Sequence, residues 1–283
     1  MEIFKDINSL KEWRKAQSGK IGLVPTMGAL HQGHLSLIKK CLQQCDTTIV
    51  SIFINPLQFN SNLDFKNYPN SIDVDINLLQ SENIDALFLP TKEIMYSGTF
   101  STIIEESKVS IGLEGCSRPG HFNGVTTIVA KFFNIVNPTN AFFGEKDAQQ
   151  LRIIQQMVID LNYPIEIISC PIIREVNGLA MSSRNKYLTT SERKKASVVF
   201  QALQAGKKMI SLGEKKVQAI RDKITEIIST ETSLTIDYIS VSDSQTLIEI
   251  SGEIERKILV SVAVYLGKVR LIDNFSYSVP SLR

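Results

Sequence analysis

No stretch of this chain is apolar for long enough to cross a membrane, and its first fifteen residues, MEIFKDINSLKEWRK, interleave charges with apolar side chains. A secretory leader and a membrane span are therefore not expected, and a cytoplasmic setting is. Charge of one sign is lacking too: Lys+Arg 31 against Asp+Glu 29 leaves a net +2, so no global field gathers nucleic acid or an anionic membrane. Any anion site must be local. The four cysteines, Cys41, Cys45, Cys116 and Cys170, form no CxxC pair and read as reduced, buried thiols. Histidine is scarce, with His31, His34 and His121 alone, and no HExxH occurs. Internal repeats and low-complexity segments are absent as well.

What is present is an ordinary enzyme-like composition, 43% hydrophobic and 21% charged over 283 residues, enough for one large or two modest domains. Up to about position 175, short β-rich runs (IGLV at 21–24, TTIVSIFI at 47–54, ALFL at 86–89, NAFF at 140–143, IEIISCPII at 165–173) alternate with segments apolar at three- and four-residue spacing. Strands that are apolar without strict alternation, separated by helices, imply a parallel sheet covered on both faces. The expectation is a doubly wound, Rossmann-like α/β domain over 1–174. Beyond it, two helical segments and then two β-rich runs, with a hairpin at Gly267, suggest a smaller α+β domain over 175–283, joined through EVNG at 175–178.

The segment PTMGALHQGHLSLI, 25–38, runs from the end of the first predicted parallel strand into a helix. In an open parallel sheet that edge binds ligands, and a helix N-terminus offers N–H groups and a positive dipole end to an anion. Gly28 and Gly33 permit close backbone approach, and His31 and His34, one turn apart, can donate to phosphoryl oxygens. A zinc site would need His121 as third ligand. Three more clusters fall near the ends of predicted strands. Asn55 and Gln58 carry amides suited to a small hydroxy acid. Gly144, Lys146, Asp147 and Gln150 enter the next helix. Ser182, Ser183 and Arg184, in GLAMSSRN after the last predicted parallel strand, offer two hydroxyls and a planar cationic fork.

PTMGALHQGHLSLI, NPLQF, RPGHFNGVTTIVAKFFNIVNP, FFGEKDAQQL and GLAMSSRN, in this order and over essentially the whole chain, closely resemble the motif series of the pantoate-beta-alanine ligase (pantothenate synthetase) family. That family belongs to the HxGH nucleotidyltransferase-like superfamily, related in architecture to class I aminoacyl-tRNA synthetases. The resemblance implies ATP with Mg2+, pantoate and beta-alanine as reactants, a pantoyl adenylate intermediate, and pantothenate, AMP and pyrophosphate as products. It implies an ATP loop of Met27, Gly28, Ala29, Leu30, His31, Gln32, Gly33 and His34, with His34 as proton donor and His31 beside it. It places Gly144, Glu145, Lys146, Asp147, Ile173, Met181, Ser182, Ser183 and Arg184 on the nucleotide, with Lys146, Ser182 and Arg184 acting in catalysis. Gln58 and Gln150 grip pantoate in this reading, with Gln58 also near beta-alanine and Asn55 beside them. A homodimer and a small domain that closes over ATP are also implied. One departure is Asn70, where the family pattern carries an arginine. A nucleotidyltransferase that stops at an adenylylated or cytidylylated product, and a zinc hydrolase using the three histidines, are the alternatives. RNA is not expected, because the lysine pairs of the second half read as solvated helix faces.

Overall fold

The computed structural model describes residues 1–278, without the side chains of 62–64. The chain divides into two compact units, one of Met1–Glu145 with Gln150–Pro171, the other of Lys146–Gln149 with the described residues from Ile172 on. The expected change of organisation at 174/175 thus lies beside a division at 171/172, and the short segment 146–149 goes with the later unit.

In chain order the elements are β1 (Glu2–Phe4), α1 (Ile7–Lys15), β2 (Ile21–Thr26), α2 (Gln32–Gln44), β3 (Thr47–Ile52), α3 (Asn62–Asn67), α4 (Ile72–Ser81), β4 (Ala86–Phe88), α5 (Lys92–Met95), α6 (Glu114–Ser117), α7 (His121–Val136), β5 (Asn140–Gly144), α8 (Ala148–Asp160) and β6 (Glu166–Cys170). The six strands form one parallel sheet in the order β1-β4-β3-β2-β5-β6. Alternate residues point to opposite faces. On one face Val24, Val50, Leu87 and Phe142 pack with Leu35, Ile38 and Cys41 of α2 and Leu79 of α4. On the other, Phe88 meets Phe132 of α7 edge-on, ring centroids 6.2 Å apart. This is the doubly wound arrangement expected. The short strand β1 was not legible, because three residues show no period; it pairs Glu2 with Ala86 at the sheet edge.

The order reverses between β2 and β5, so the chain leaves the two strands toward opposite sides. Ligands of open α/β sheets bind at such a switch point, outside the carboxyl ends of the strands. The segment 27–31 leaves β2 there, and Gly144 ends β5 there.

The second unit contains α9 (Thr190–Ala196), α10 (Val198–Ser211), α11 (Val217–Ile228), β7 (Leu234–Asp243), β8 (Ile258–Leu266) and β9 (Val269–Tyr277). The three strands are antiparallel in the order β7-β8-β9, with Gly267, at φ +58°, in the turn between Leu266 and Val269. Val260, Val262 and Val264 face a core shared with Val199, Leu203, Ile220 and Ile224. Where the periodicity implies two helices there are three. The first ends at Ser197, whose hydroxyl donates to the Lys194 carbonyl at 2.6 Å and competes with helix continuation. Residues 175–178 are no linker but the turn of a small hairpin in which Arg174 bridges Ala180 and Gly178 donates to the Glu175 carbonyl at 2.9 Å. The last parallel strand ends at Cys170, so GLAMSSRN begins within this hairpin, whose second arm runs through Ala180, and does not follow the strand itself. Of the thiols, Cys41 and Cys170 are buried, Cys45 is half-buried and Cys116 is exposed, against the expectation that all four are buried.

Candidate active site

Between β2 and α2 the chain turns through two left-handed residues, Gly28 at φ +78° and Ala29 at φ +50°. For alanine that conformation costs on the order of 1 kcal/mol unless the surroundings hold it. They do so through Asp75, a side chain only 2% exposed on α4. Its Oδ2 accepts from the Ala29 N–H at 2.7 Å and its Oδ1 from the Leu30 N–H at 2.8 Å. A Cβ at Gly28 would press on Asp75 Oδ2 at 3.0 Å and on Ile52 at 3.1 Å, so glycine serves both the dihedral and the space there. Asp75 was missed by sequence reasoning, although it had a signal: it lies on the helix face of Ile72, Ile76 and Leu79, where a carboxylate is out of place.

His31 caps α2. Its extended backbone lets ring Nδ1 accept from the Gly33 N–H at 3.1 Å, which leaves Nε2 as the ring's donor atom. One turn on, the His34 ring stacks beside it with centroids 4.1 Å apart. No acidic residue occupies the first turn of α2, so its positive end is not neutralised from within the helix. The amides of Ala29, Leu30 and Gly33 are already engaged. Gln32 is exposed between the two histidines, and the space where a Gly144 side chain would stand is open.

After β3 the chain makes a 3-10 turn over Pro56–Gln58, capped by Asn55. Both Asn55 and Gln58 are buried. Gly124 of α7 lets the turn lie against that helix, since a Cβ there would overlap the Leu57 carbonyl and the Gln58 nitrogen. The Gln58 amide nitrogen faces the Met27 sulfur at 2.9 Å, which joins the turn to the segment leaving β2. His121 has a positional part in this. Arg118 can only donate, so His121 Nε2 accepts from it at 3.1 Å and Nδ1–H donates to the Gln58 carbonyl at 2.7 Å. Among the described residues no group of three His, Cys, Asp or Glu side chains is placed to hold a metal, and His121 does not join His31 and His34 in one. Gln150 is half-buried on α8.

In the second unit the hairpin after β6 brings two of the expected residues side by side: the Met181 N–H donates to the Ile173 carbonyl at 2.9 Å. Arg174 anchors this hairpin. Its guanidinium pairs with both Asp273 oxygens at 2.6 and 2.9 Å, donates to the Gly178 carbonyl at 3.0 Å, and lies over the Phe200 ring at 4.4 Å. Ser182 then caps the 3-10 turn Ser183–Tyr187 by accepting from the Arg184 N–H at 3.3 Å. Asn185 donates to the Glu175 carboxylate at 2.9 Å and to the Ala180 carbonyl at 3.1 Å, so the turn carrying Ser183 and Arg184 is fastened to its own hairpin. Asn274, beside Asp273 on β9, donates to the Lys146 carbonyl at 2.9 Å. One strand thus holds both Lys146 and the segment leading to Arg184. Lys146 Nζ stands 3.5 Å from its neighbour Asp147, and Glu145 precedes them on the surface. Asp273 and Asn274 were also missed. Asp273 falls between Leu271 and Phe275 in the strand's apolar phase, the same kind of signal as Asp75.

Sheet order, switch point and a histidine-capped helix define the class: a doubly wound α/β protein with an HxGH segment, His31–His34, at the carboxyl edge of its parallel sheet. The chain belongs to the pantoate-beta-alanine ligase family, whose model, described as Pantoate-beta-alanine ligase, matches residues 2–276. It is 49% identical to the pantothenate synthetase of Caldicellulosiruptor bescii, over 97% of this chain and 98% of that protein. The crystal structure of pantothenate synthetase from Thermus thermophilus superposes with a TM-score of 0.92 at 38% identity, over 97% of this chain and 99% of that one. A pantoate-beta-alanine ligase from Francisella tularensis, crystallised with beta-gamma ATP and beta-alanine, gives a TM-score of 0.80 at 38% identity over 97% of both chains. The family's enzymes are ligases that form pantothenate, and this chain is one of them. No helix among the described residues is long and apolar enough to cross a membrane.

Proposed function

We propose that the chain makes pantothenate in two steps through pantoyl adenylate. A carboxylate is a poor acyl donor because its leaving group would be oxide. In the first step the pantoate carboxylate oxygen attacks the α-phosphorus of ATP in line with the departing oxygen, giving a mixed anhydride and pyrophosphate. In the second the amine of beta-alanine attacks the anhydride carbonyl, the C–O bond to AMP breaks, and the amine proton is released to solvent as the amide forms.

Negative charge builds on the phosphoryl oxygens in the first step, and positioned donors stabilise it. The observation that carries this reading is the histidine pair at the start of α2, held at the switch point by a loop whose shape Asp75 maintains. His31 and His34 are assigned to the phosphates, with His34 as proton donor, and Met27–Gly33 to the nucleotide. Lys146, Ser182, Ser183 and Arg184 are assigned to the β- and γ-phosphates and the leaving pyrophosphate, and Gly144–Asp147, Ile173 and Met181 to the rest of ATP. Gln58 and Gln150 take pantoate, with Asn55 behind Gln58. The second step needs orientation and exclusion of water more than further catalytic groups. A magnesium ion would accompany ATP as MgATP and would supply charge neutralisation on its phosphates. A homodimer in the cytoplasm completes the proposal.

The test is pyrophosphate exchange into ATP. It is expected to require pantoate, and His34→Ala is expected to lower it by about a hundredfold, the scale for one preorganised donor. Exchange without pantoate refutes the adenylate. Pyrophosphate release without amide formation would identify a nucleotidyltransferase instead.

A further inference from the structure

The direction of every hydrogen bond around Gln58 can be traced back to backbone groups whose polarity is fixed. The side chain of Asn55, a residue 1% exposed, makes four hydrogen bonds inside the protein. Its Nδ2 donates to the Gly124 carbonyl at 3.0 Å, which can only accept, and to Gln58 Oε1 at 3.0 Å. Its Oδ1 accepts from the Leu57 N–H at 3.3 Å, which can only donate, and from the Tyr96 hydroxyl at 2.7 Å. An amide has two donor and two acceptor positions, so Asn55 is saturated and its flip is determined. With Gln58 Oε1 turned toward Asn55, the amide nitrogen of Gln58 must face the other way, toward Met27 and the segment leaving β2.

We propose that Tyr96 and Asn55 are positioning residues that present Gln58 to the substrate as a hydrogen-bond donor, so that it engages an acceptor oxygen of pantoate and not the ammonium of beta-alanine. This rests on the reading of Gln58 as a pantoate contact. Tyr96 is well suited to the part. It is wedged between Phe53 and Phe100, ring centroids 6.0 and 4.8 Å away, so its hydroxyl has little freedom. Burial pushes its phenol above the ordinary value, which keeps it a protonated donor over the working pH range. Met27 sulfur is a weak acceptor, and it leaves the second N–H of Gln58 for a stronger one. Should Asn55 rotate, Gln58 would meet an N–H where it now meets an oxygen, and its own amide would turn its carbonyl toward the substrate's oxygens.

The experiment is a double-mutant cycle of Tyr96→Phe and Gln58→Ala, reading KM for pantoate and for ATP. Tyr96→Phe is expected to raise the pantoate KM by about tenfold and to leave the ATP KM within about twofold, the scale for one misdirected hydrogen bond. In the Gln58→Ala background the same substitution is expected to change the pantoate KM by less than about twofold, because its route of action is gone. Equal effects in both backgrounds, or no effect of Tyr96→Phe, would overturn the proposal and leave Tyr96 a packing residue. An unchanged pantoate KM in Gln58→Ala alone would overturn the underlying reading of Gln58. If Tyr96→Phe does not melt cooperatively, Asn55→Ser enters the cycle in its place with the same outcomes.

Discussion

Replacing Asp75 by asparagine tests whether the loop before α2 has its shape because a buried carboxylate imposes it. The two bonds, at 2.7 and 2.8 Å to Ala29 and Leu30, join an ionised acceptor to backbone donors on a side chain 2% exposed. Hydrogen bonds to charged groups contribute about 1.5–3 kcal/mol each, and a buried donor left without a partner costs about 1–3 kcal/mol. Asparagine is nearly isosteric but can accept at one position only; at the other its NH2 faces an N–H. One bond is lost and one buried donor is orphaned, for a total of about 3 kcal/mol. That energy acts on Gly28 and Ala29, whose left-handed backbone the two bonds hold, and therefore on the placement of His31 and His34, the proposed phosphate contacts. If the loop is the part that yields, kcat/KM for pantothenate formation with respect to ATP falls by about a hundredfold, since about 1.4 kcal/mol is tenfold. If the whole domain yields, the urea midpoint drops as well. Asp75→Ala, which orphans both amides, should be worse on both measures. An Asp75→Asn enzyme with wild-type kcat/KM and wild-type urea midpoint would refute the reasoning.

Gly124→Ala should force the 3-10 turn of Gln58 away from α7, because the new methyl overlaps the Leu57 carbonyl; overpacking of this kind costs about 1–3 kcal/mol, and the pantoate KM is expected to rise while the ATP KM holds. The thiols should separate by accessibility. Burial, partly opposed by the Thr48 hydroxyl, pushes the Cys41 thiol up to about 12, whereas Cys116 is exposed. Iodoacetamide at about pH 8 should therefore label Cys116 and spare Cys41 in the native protein, and should label both in urea. The same shift sets a sign for stability. Cys41's contribution is complete below the ordinary thiol value of 9.0 and is lost as pH rises from there toward 12, so the urea midpoint should fall with pH over that range; a midpoint that stays level would refute the assignment.

The amino-acid sequence alone determined the architecture, because its determinants are local and repeated. Apolar runs such as TTIVSI and ALF, separated by helical periods, admit little besides a covered parallel sheet, and the alternating valines 260, 262 and 264 admit one buried strand face. The same holds for the ends of strands. Once β2 and β5 were located, His31, His34 and Gly144 had to leave the sheet at its ligand edge. Short or interrupted elements escaped, since β1 offers three residues to a period of two and Ser197 breaks a helix without breaking its periodicity. Tertiary structure alone decided which polar groups support the site. Asp75 reaches Ala29 and Leu30 across forty-odd residues, Tyr96 reaches Asn55, Asp273 reaches Arg174, and Asn274 reaches Lys146 from the far end of the chain. A hydrogen bond depends on angle and distance to within tenths of an ångström, and those are set by the packing of whole elements, whereas a hydrophobic period survives in any short window of the chain. The sequence marks such residues only as polar letters on an apolar face; the partner each one serves exists only after folding.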